Sequence, residues 1–336
     1  MMVQMQPPEF WNKPASRPGV WPRILWPLAQ IWRRLTAQRL ARGPWQKVGV
    51  PVICVGNINI GGTGKTPTVI ALVERLQAMG LNPHVVSRGY GGSLSGPLQV
   101  DGRKHKAHEV GDEPVLLAAF CSTWIARDRH AGALEAKQAG ADVILLDDGF
   151  QNPTLHKDIS IVVVDAVAGF GNGRVFPAGP LREPPSAGLA RADAVLIMGT
   201  PKARTRFLKA NPMGDLPVLE GELQPLETGM DWKGTKVLAF AGIGRPEKFF
   251  ATLKSLGAEI VQTEALADHQ PLNRRLLARL ESDAFFKGAQ MVTTEKDATR
   301  LPEDFQFRVI TVPVRLQITD WAAIDLLLEK TGIKVE

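Results

Sequence analysis

Cysteine is scarce in this 336-residue chain: there are two, Cys54 inside an apolar run and Cys121 much further along. Two isolated thiols make neither a disulfide framework nor a metal-ligand spacing, which fits a reducing compartment. Long hydrophobic runs are missing as well. No stretch approaches the ~20 apolar residues of a membrane span, and no signal-peptide core precedes a small-residue cleavage site. Internal repeats and low-complexity tracts are absent from the sequence. Positive charge looks plentiful at a net +6, but residues 1–50 hold eight Lys or Arg against Glu9 alone, a local +7 that leaves −1 for everything else. A basic groove through the body is excluded, and a nucleic-acid partner with it. What remains, 44% hydrophobic and 22% charged over 336 residues, describes a globular chain with room for two ordinary domains.

The basic segment also carries Trp11, Trp21, Trp26, Trp32 and Trp45, five of the eight tryptophans. From Ile24 to Arg42 the residues Ile24, Leu25, Leu28, Ile31, Trp32 and Leu35 fall on one side of a helix, with Arg33, Arg34 and Arg39 largely elsewhere. Apolar, aromatic and basic residues together describe a helix lying in a lipid headgroup region. Pro22, Arg23 and Pro27 keep it from crossing a bilayer. A stripe packed on the protein's own core is the competing reading.

Residues 51–67, PVICVGNINIGGTGKTP, form the most informative stretch. Val52–Val55 read as a buried parallel strand, and Lys65–Leu76 have the apolar spacing of a helix packed on a sheet. Between them Asn59, Ile60, Gly61, Gly62, Thr63 and Gly64 offer backbone N–H groups to a phosphate. Lys65 reaches the β and γ phosphates, and the Thr66 hydroxyl is placed to ligate Mg2+. In G-x-x-x-x-G-K-[ST] the first glycine falls at Asn59, the one departure from the pattern. The bland alternative is a glycine-rich strand-to-helix turn with an accidental lysine.

Downstream the pattern alternates strand and helix: a strand at 83–87, a helix from Asp112 to about Phe120, a strand at 124–126, a helix after Asp128 and a strand at 143–146. That is the signature of a parallel sheet with helices on both faces, here a P-loop NTPase α/β fold. The last strand ends in Asp147 and Asp148, carboxylates able to hold Mg2+ directly or through water. Paired acids at a solvent-facing strand end are the plainer alternative. SRGYGG (87–92) opens a long polar connection in which Arg88 and Tyr90 are candidate substrate contacts, or parts of a glycine turn. From about Asp231 strands and helices restart, so a smaller α/β domain is expected. The expected limits are 1–228 for the N-terminal helix and kinase domain, 229–318 for the smaller domain, and 319–336 for a helix packing back on the first. The stretch 212–232 is the expected crossing.

Taken together, VGNINIGGTGKTP, SRGYGG, VGDEP (110–114), DDGFQ (147–151), FPAGPLREP (176–184), AFAGIGRPEKFF (239–250), DHQ (268–270) and VTTEKDA (292–298) closely resemble the tetraacyldisaccharide 4'-kinase family. The resemblance runs from about residue 20 to 300. It implies Mg2+- and ATP-dependent transfer to the 4'-hydroxyl of a tetraacylated glucosamine disaccharide 1-phosphate, giving lipid IVA. It implies work at the cytoplasmic face of an inner membrane, as a peripheral or monotopic enzyme whose N-terminal helix docks on the membrane. No obligate protein partner is evident. One departure is Asn152, where the family often carries histidine.

On this resemblance Asp112 is the candidate acceptor of the hydroxyl proton and His269 its partner. On its own residues Asp112 is better read as a helix N-cap, with Pro114 just inside. A lone histidine is likewise more often structural. Arg129 and Arg182 are candidate phosphate ligands, for ATP or the acceptor's 1-phosphate, and Gln151 and Glu183 are second choices. The alternative function is a membrane-associated P-loop ATPase without a lipid acceptor. The partitioning-type ATPases require a signature lysine where this chain has Ile60, and usually carry Thr or Ser where it has Pro67.

Overall fold

The computed structural model describes residues 8–268 and 270–335. Among the described residues thirteen strands are formed: β1 Val52–Gly56, β2 Pro83–Ser87, β3 Leu98–Gln99, β4 Thr123–Ile125, β5 Val143–Asp147, β6 Ile159–Asp165, β7 Ala194–Met198, β8 Val218–Pro225, β9 Lys236–Ala241, β10 Glu259–Ala265, β11 Gln290–Thr294, β12 Val309–Val312 and β13 Val314–Ile318. They make a nine-stranded sheet of order β13-β8-β7-β6-β1-β5-β2-β4-β3 and a four-stranded sheet of order β10-β9-β11-β12. The large sheet is parallel except at its edges, where β13 runs antiparallel to β8 and β3 to β4.

β1 lies at the centre because its residues are apolar on both sides. Ile53 and Val55 enter a core shared with Val69, Leu72 and Leu76, whereas Val52 and Cys54 enter the opposite one with Ile58, Phe150 and Leu155. Strands covered on both faces read as continuous apolar runs, which is why the alternation of a half-exposed sheet is missing. Helix α3 (Lys65–Ala78), the third after α1 (Trp21–Ile24) and α2 (Trp26–Ala41), covers the first face. Complete burial of Leu72 and Leu76 stabilises that packing by roughly 1.5–3 kcal/mol each. Ile324 and Leu328, on the C-terminal helix Ala322–Lys330, join the same cluster. β1 pairs with β5 on one side and β6 on the other, so the loops leaving the carboxyl ends of these three strands surround one crevice.

Three details differ from expectation. Pro27, at the start of α2, separates α1 from α2 at Leu25, so the single helix expected from Ile24 is two. The stretch 212–232 is more than a crossing, since it supplies β8, which pairs with β7 and β13. Residues 314–318, expected in the smaller unit, form β13 of the large sheet, where they pair with Gly221–Pro225 and cover the edge of β8.

Candidate active site

The phosphate loop is held in shape by side chains that the glycine pattern does not reveal. Asn57 donates from Nδ2 to Gly61 O and to Thr63 Oγ1, both at 3.1 Å. Asn59 donates to Gly169 O at 3.0 Å, so the residue standing in for the first glycine ties the loop to the segment after β6. From the other flank Ile60 N donates to Pro180 O at 2.7 Å, and Arg182 N to Ile58 O at 2.8 Å. Gly64 caps α3 at φ 97°, and a Cβ there would sit 2.3 Å from Met198 Sδ, so only glycine fits. The loop therefore ends on the amino terminus of a 14-residue helix, where backbone N–H groups and the helix dipole favour an anion. Thr66 is buried at the first turn, and the Lys65 side chain is 11% exposed.

Register brings the carboxylates to this loop. Val55 is level with Asp147 across the β1–β5 ladder, one residue before the loop begins to turn away. Asp148 follows in the left-handed region, φ 56°, a strained conformation for a non-glycine residue. Arg182 holds it in bidentate fashion at 2.7 and 2.9 Å, and Lys65 Nζ stands 3.8 Å away. Burial alone would raise the Asp148 pKa, but Lys65 and Arg182 outweigh it and hold the carboxyl at about 2. Asp147 moves the other way: burial, and then the charge of Glu113, push its carboxyl well above the usual range against the pull of Lys65.

Asp147 Oδ1 is buried without a hydrogen-bond partner among the described residues, while Oδ2 accepts from Ser87 Oγ at 3.4 Å. An orphaned buried carboxylate oxygen at the end of β5, level with the last residues of the strand that leads into the phosphate loop, has the chemistry of a Mg2+ site. Such a site takes one or two protein oxygens and completes its shell with water and phosphate. Among the described residues there is no cluster of three or more His, Cys, Asp or Glu fit to hold a metal.

Arg182 also donates to Gln151 Oε1 at 3.0 Å. Gln151 Nε2 reaches Asn57 O at 2.8 Å and Glu183 Oε1 at 3.0 Å, and Arg191 grips Glu183 at 2.7 and 2.8 Å. The four candidates Asp148, Gln151, Arg182 and Glu183 thus form one connected wall. Arg129 lies 4% exposed at the start of α6 (Arg129–Gln138), the helix following α4 (Ala107–Val110) and α5 (Asp112–Leu117). Its NH1 donates to Ala126 O at 2.7 Å, and its Nε has no hydrogen-bond partner among the described residues. Arg88 and Tyr90 are exposed at the mouth of β2. Asn152 has a structural role, its Oδ1 accepting from Thr154 N and Oγ1 at 2.9 and 2.7 Å in a local turn.

Asp112 opens α5 after Gly111, where both the φ of 95° and the 2.7 Å that would separate a Cβ from Tyr90 O call for glycine. Its carboxylate is 3% exposed and accepts from Glu113 N at 3.0 Å. Facing it are groups from the four-stranded sheet: Arg300 Nε is 3.8 Å from Asp112 Oδ2, and Lys296 Nζ is 3.1 Å from Glu113 Oε1 and 3.7 Å from Asp268 Oδ1. A second bridge joins the sheets at the end of β6, where Asp165 binds Lys248 at 2.5 Å and Arg245 at 3.4 Å. Gly244 sits against the phosphate loop itself, a Cβ there being 3.5 Å from Gly62 N. His269, the candidate partner of Asp112, lies outside the described residues.

Lys296, Arg300, Glu113, Asp165 and Lys248 were not candidates from the sequence. Lys296 sits in VTTEKDA and Lys248 in AFAGIGRPEKFF, but only the meeting of the two sheets shows what they face.

α2 touches the body through Ala29, Thr36 and Leu40, and Trp32 Nε1 donates to Arg182 O at 3.1 Å. Its larger apolar residues point away: Trp26, Leu28, Ile31 and Leu35 are each more than half exposed, as are Trp21 and Ile24 on α1. Among the described residues no helix is long and apolar enough to cross a membrane.

Comparison with known proteins gives concordant results. The family model described as LpxK, tetraacyldisaccharide-1-P 4'-kinase, matches residues 21–332. A tetraacyldisaccharide 4'-kinase of Dinoroseobacter shibae is 58% identical over 327 residues, covering 97% of each chain. One from Rhodospirillum centenum is 50% identical over 328 residues, 96% of each chain. Among solved structures, the "apo" form of LpxK from Aquifex aeolicus in complex with ATP superposes with a TM-score of 0.74 at 27% identity, over 93% of this chain and 99% of that one.

Proposed function

The chain belongs to the tetraacyldisaccharide-1-P 4'-kinase family, and from that premise we propose that it transfers the γ-phosphoryl group of ATP to the 4'-hydroxyl of a tetraacylated disaccharide 1-phosphate. The observation that carries this reading is the convergence, at the carboxyl ends of β1 and β5, of a phosphate loop, Lys65 and a carboxylate pair. In our reading the loop backbone from Asn59 to Gly64 binds the phosphates and Lys65 offsets charge on the β and γ groups. Thr66 and Asp147, with Asp148, would hold Mg2+, which would supply further charge neutralisation for phosphoryl transfer. Asp112 accepts the hydroxyl proton, with His269 as its partner on the strength of the family resemblance. The wall of Arg182, Gln151 and Glu183, with Arg129, Arg88 and Tyr90, orients phosphate oxygens and the acceptor.

Two domains suit this chemistry, one built on the nine-stranded sheet and one on the four-stranded sheet, with the crevice between them. The outward apolar face of α1 and α2, with exposed Arg23, Arg33 and Arg34 on the same two helices, supports docking on an anionic bilayer at the cytoplasmic face of the inner membrane. An acceptor anchored by four acyl chains is presented at that surface. The test is to incubate purified protein with γ-labelled ATP, Mg2+ and the disaccharide lipid and to follow the label. Label in the lipid fraction is expected; ATP turnover indifferent to the lipid, with no labelled lipid, would overturn the reading in favour of an acceptor-free ATPase.

A further inference from the structure

Arg300 has an unusual division of its donors. One NH group donates to Gln270 O at 2.8 Å, the other to Gly242 O at 3.2 Å and to the carboxylate of Asp297. Asp297 is fully buried and takes the Gly242 N–H on both oxygens at 3.1 Å, and Thr294 Oγ1 at 2.6 Å. The loops after β9, β10 and β11 therefore all clamp this guanidinium, and its rotamer is set entirely within the four-stranded sheet. The remaining donor, Nε, is buried and has no hydrogen-bond partner among the described residues. It faces Asp112 Oδ2 at 3.8 Å, across the boundary to the other sheet. A buried N–H without a partner costs about as much as a lost hydrogen bond. Movement of one sheet toward the other by about 1 Å brings Nε to the ~2.9 Å of a charge-assisted bond.

Lys296, one turn before Arg300, is aimed at the same place. Its ammonium lies among Glu113, Asp268 and Asp112; burial alone would lower its pKa, but those three carboxylates, Glu113 foremost, more than reverse the effect and raise it. Two fixed cations four residues apart, in the short helix and turn that follow β11, thus face two adjacent carboxylates on α5.

We propose that Arg300 and Lys296 are positioning residues for Asp112, completing its alignment only when the two sheets close. Closure then does two things at once: it satisfies the orphaned Nε–H, and it fixes the carboxylate that receives the acceptor's proton. Preorganisation of this kind leaves no reorientation to be done during the reaction. The inference rests on the kinase reading above, with Asp112 as proton acceptor.

The test compares kcat for transfer to the disaccharide lipid with the equilibrium Kd for ATP measured without acceptor, in Arg300→Lys and Lys296→Met. Arg300→Lys keeps the charge that Asp297 requires but has no Nε–H to offer Asp112; should it not fold, Lys296→Met, on a partly exposed side chain, provides the same reading. Each is expected to lower kcat about tenfold or more while Kd stays within about threefold. In an Asp112→Asn background the same substitutions should cost nothing further, because they act through that carboxylate. An equal loss in both backgrounds, or a Kd that rises as far as kcat falls, overturns the proposal in favour of a purely structural pair. An Asp112→Asn enzyme at the unaltered rate overturns it together with the role given to Asp112. Unaltered protein that labels no lipid overturns the kinase reading and this inference with it.

Discussion

Lys65 Nζ stands 3.8 Å from Asp148 Oδ2, and the fork of Arg182 holds the same carboxylate at 2.7 and 2.9 Å. One carboxylate thus shares two cations, and Lys65 is tethered next to the loop it serves. A triphosphate entering the loop competes with Asp148 for Lys65, while Arg182 keeps the carboxylate compensated once the lysine leaves.

Lys65→Ala and Thr66→Ala should both abolish most transfer, each by roughly 10²-fold or more, but by different routes. The first removes charge facing the β and γ phosphates. The second weakens placement of Mg2+, so excess Mg2+ should recover part of its rate and none of the Lys65→Ala loss. Steady-state kcat across a Mg2+ titration decides; equal losses, both indifferent to Mg2+, would remove Thr66 from the metal site.

Asp112 and His269 are expected to act as one unit. Asp112→Ala and His269→Ala should each lower kcat on the order of 10²-fold or more, with the double variant little worse than the poorer single one. Fully multiplicative losses, or a His269→Ala enzyme of ordinary kcat, would return His269 to a structural role.

The exposed apolar residues on α1 and α2 should bind anionic vesicles. Because Trp32 and Leu40 hold α2 to the body, point changes on the outer face test this more cleanly than deletion of the segment. Trp21→Ser, Trp26→Ser and Leu28→Ser together remove apolar area worth roughly 1.5–3 kcal/mol per inserted side chain, so co-sedimentation should fall by 10²-fold or more with little change in melting temperature. Binding by the unaltered protein should weaken as salt rises, since each Lys or Arg near such a surface contributes ~1 kcal/mol. A triple variant that sediments as before would leave these side chains without a lipid role.

Asp165 makes the bond between the sheets acid-sensitive. Burial acts to raise its pKa, but the hydrogen bond and charge of Lys248 and the charge of Arg245 outweigh it and hold the carboxyl below its usual range. A folded-state pKa below the unfolded one gives stability that is fully present above about pH 4 and is lost as pH falls through the folded value. Asp165→Asn should therefore cost about 1–3 kcal/mol at pH 7, and the gap from the unaltered protein should close below pH 4. Thermal unfolding at pH 7, 5 and 3 measures it; a gap that is constant across this range would mean that Asp165 is held by shape and not by charge.

Local chemistry was legible in the amino-acid sequence. A buried strand, a glycine turn, GKT and a helix are contiguous residues, and their spacing alone dictates a phosphate loop. Val143–Asp147 declared itself in the same way, as an apolar run ending in acids. The basic, tryptophan-rich segment was equally plain, but not which way it faced: a helical stripe reads the same whether it packs inward or outward, and only the position of the body against Ala29, Thr36 and Leu40 turned it outward. Asp112 shows the same limit. Its own neighbours describe a helix start, and nothing near it in sequence announces Lys296 or Arg300, more than 180 residues away. β13 returns to the large sheet to pair with the edge of β8, a contact between distant segments that no local propensity encodes. Spacing along the chain decides contacts within a turn or two; the pairing of charges between two sheets depends on how both fold and meet, and that was settled by the tertiary structure.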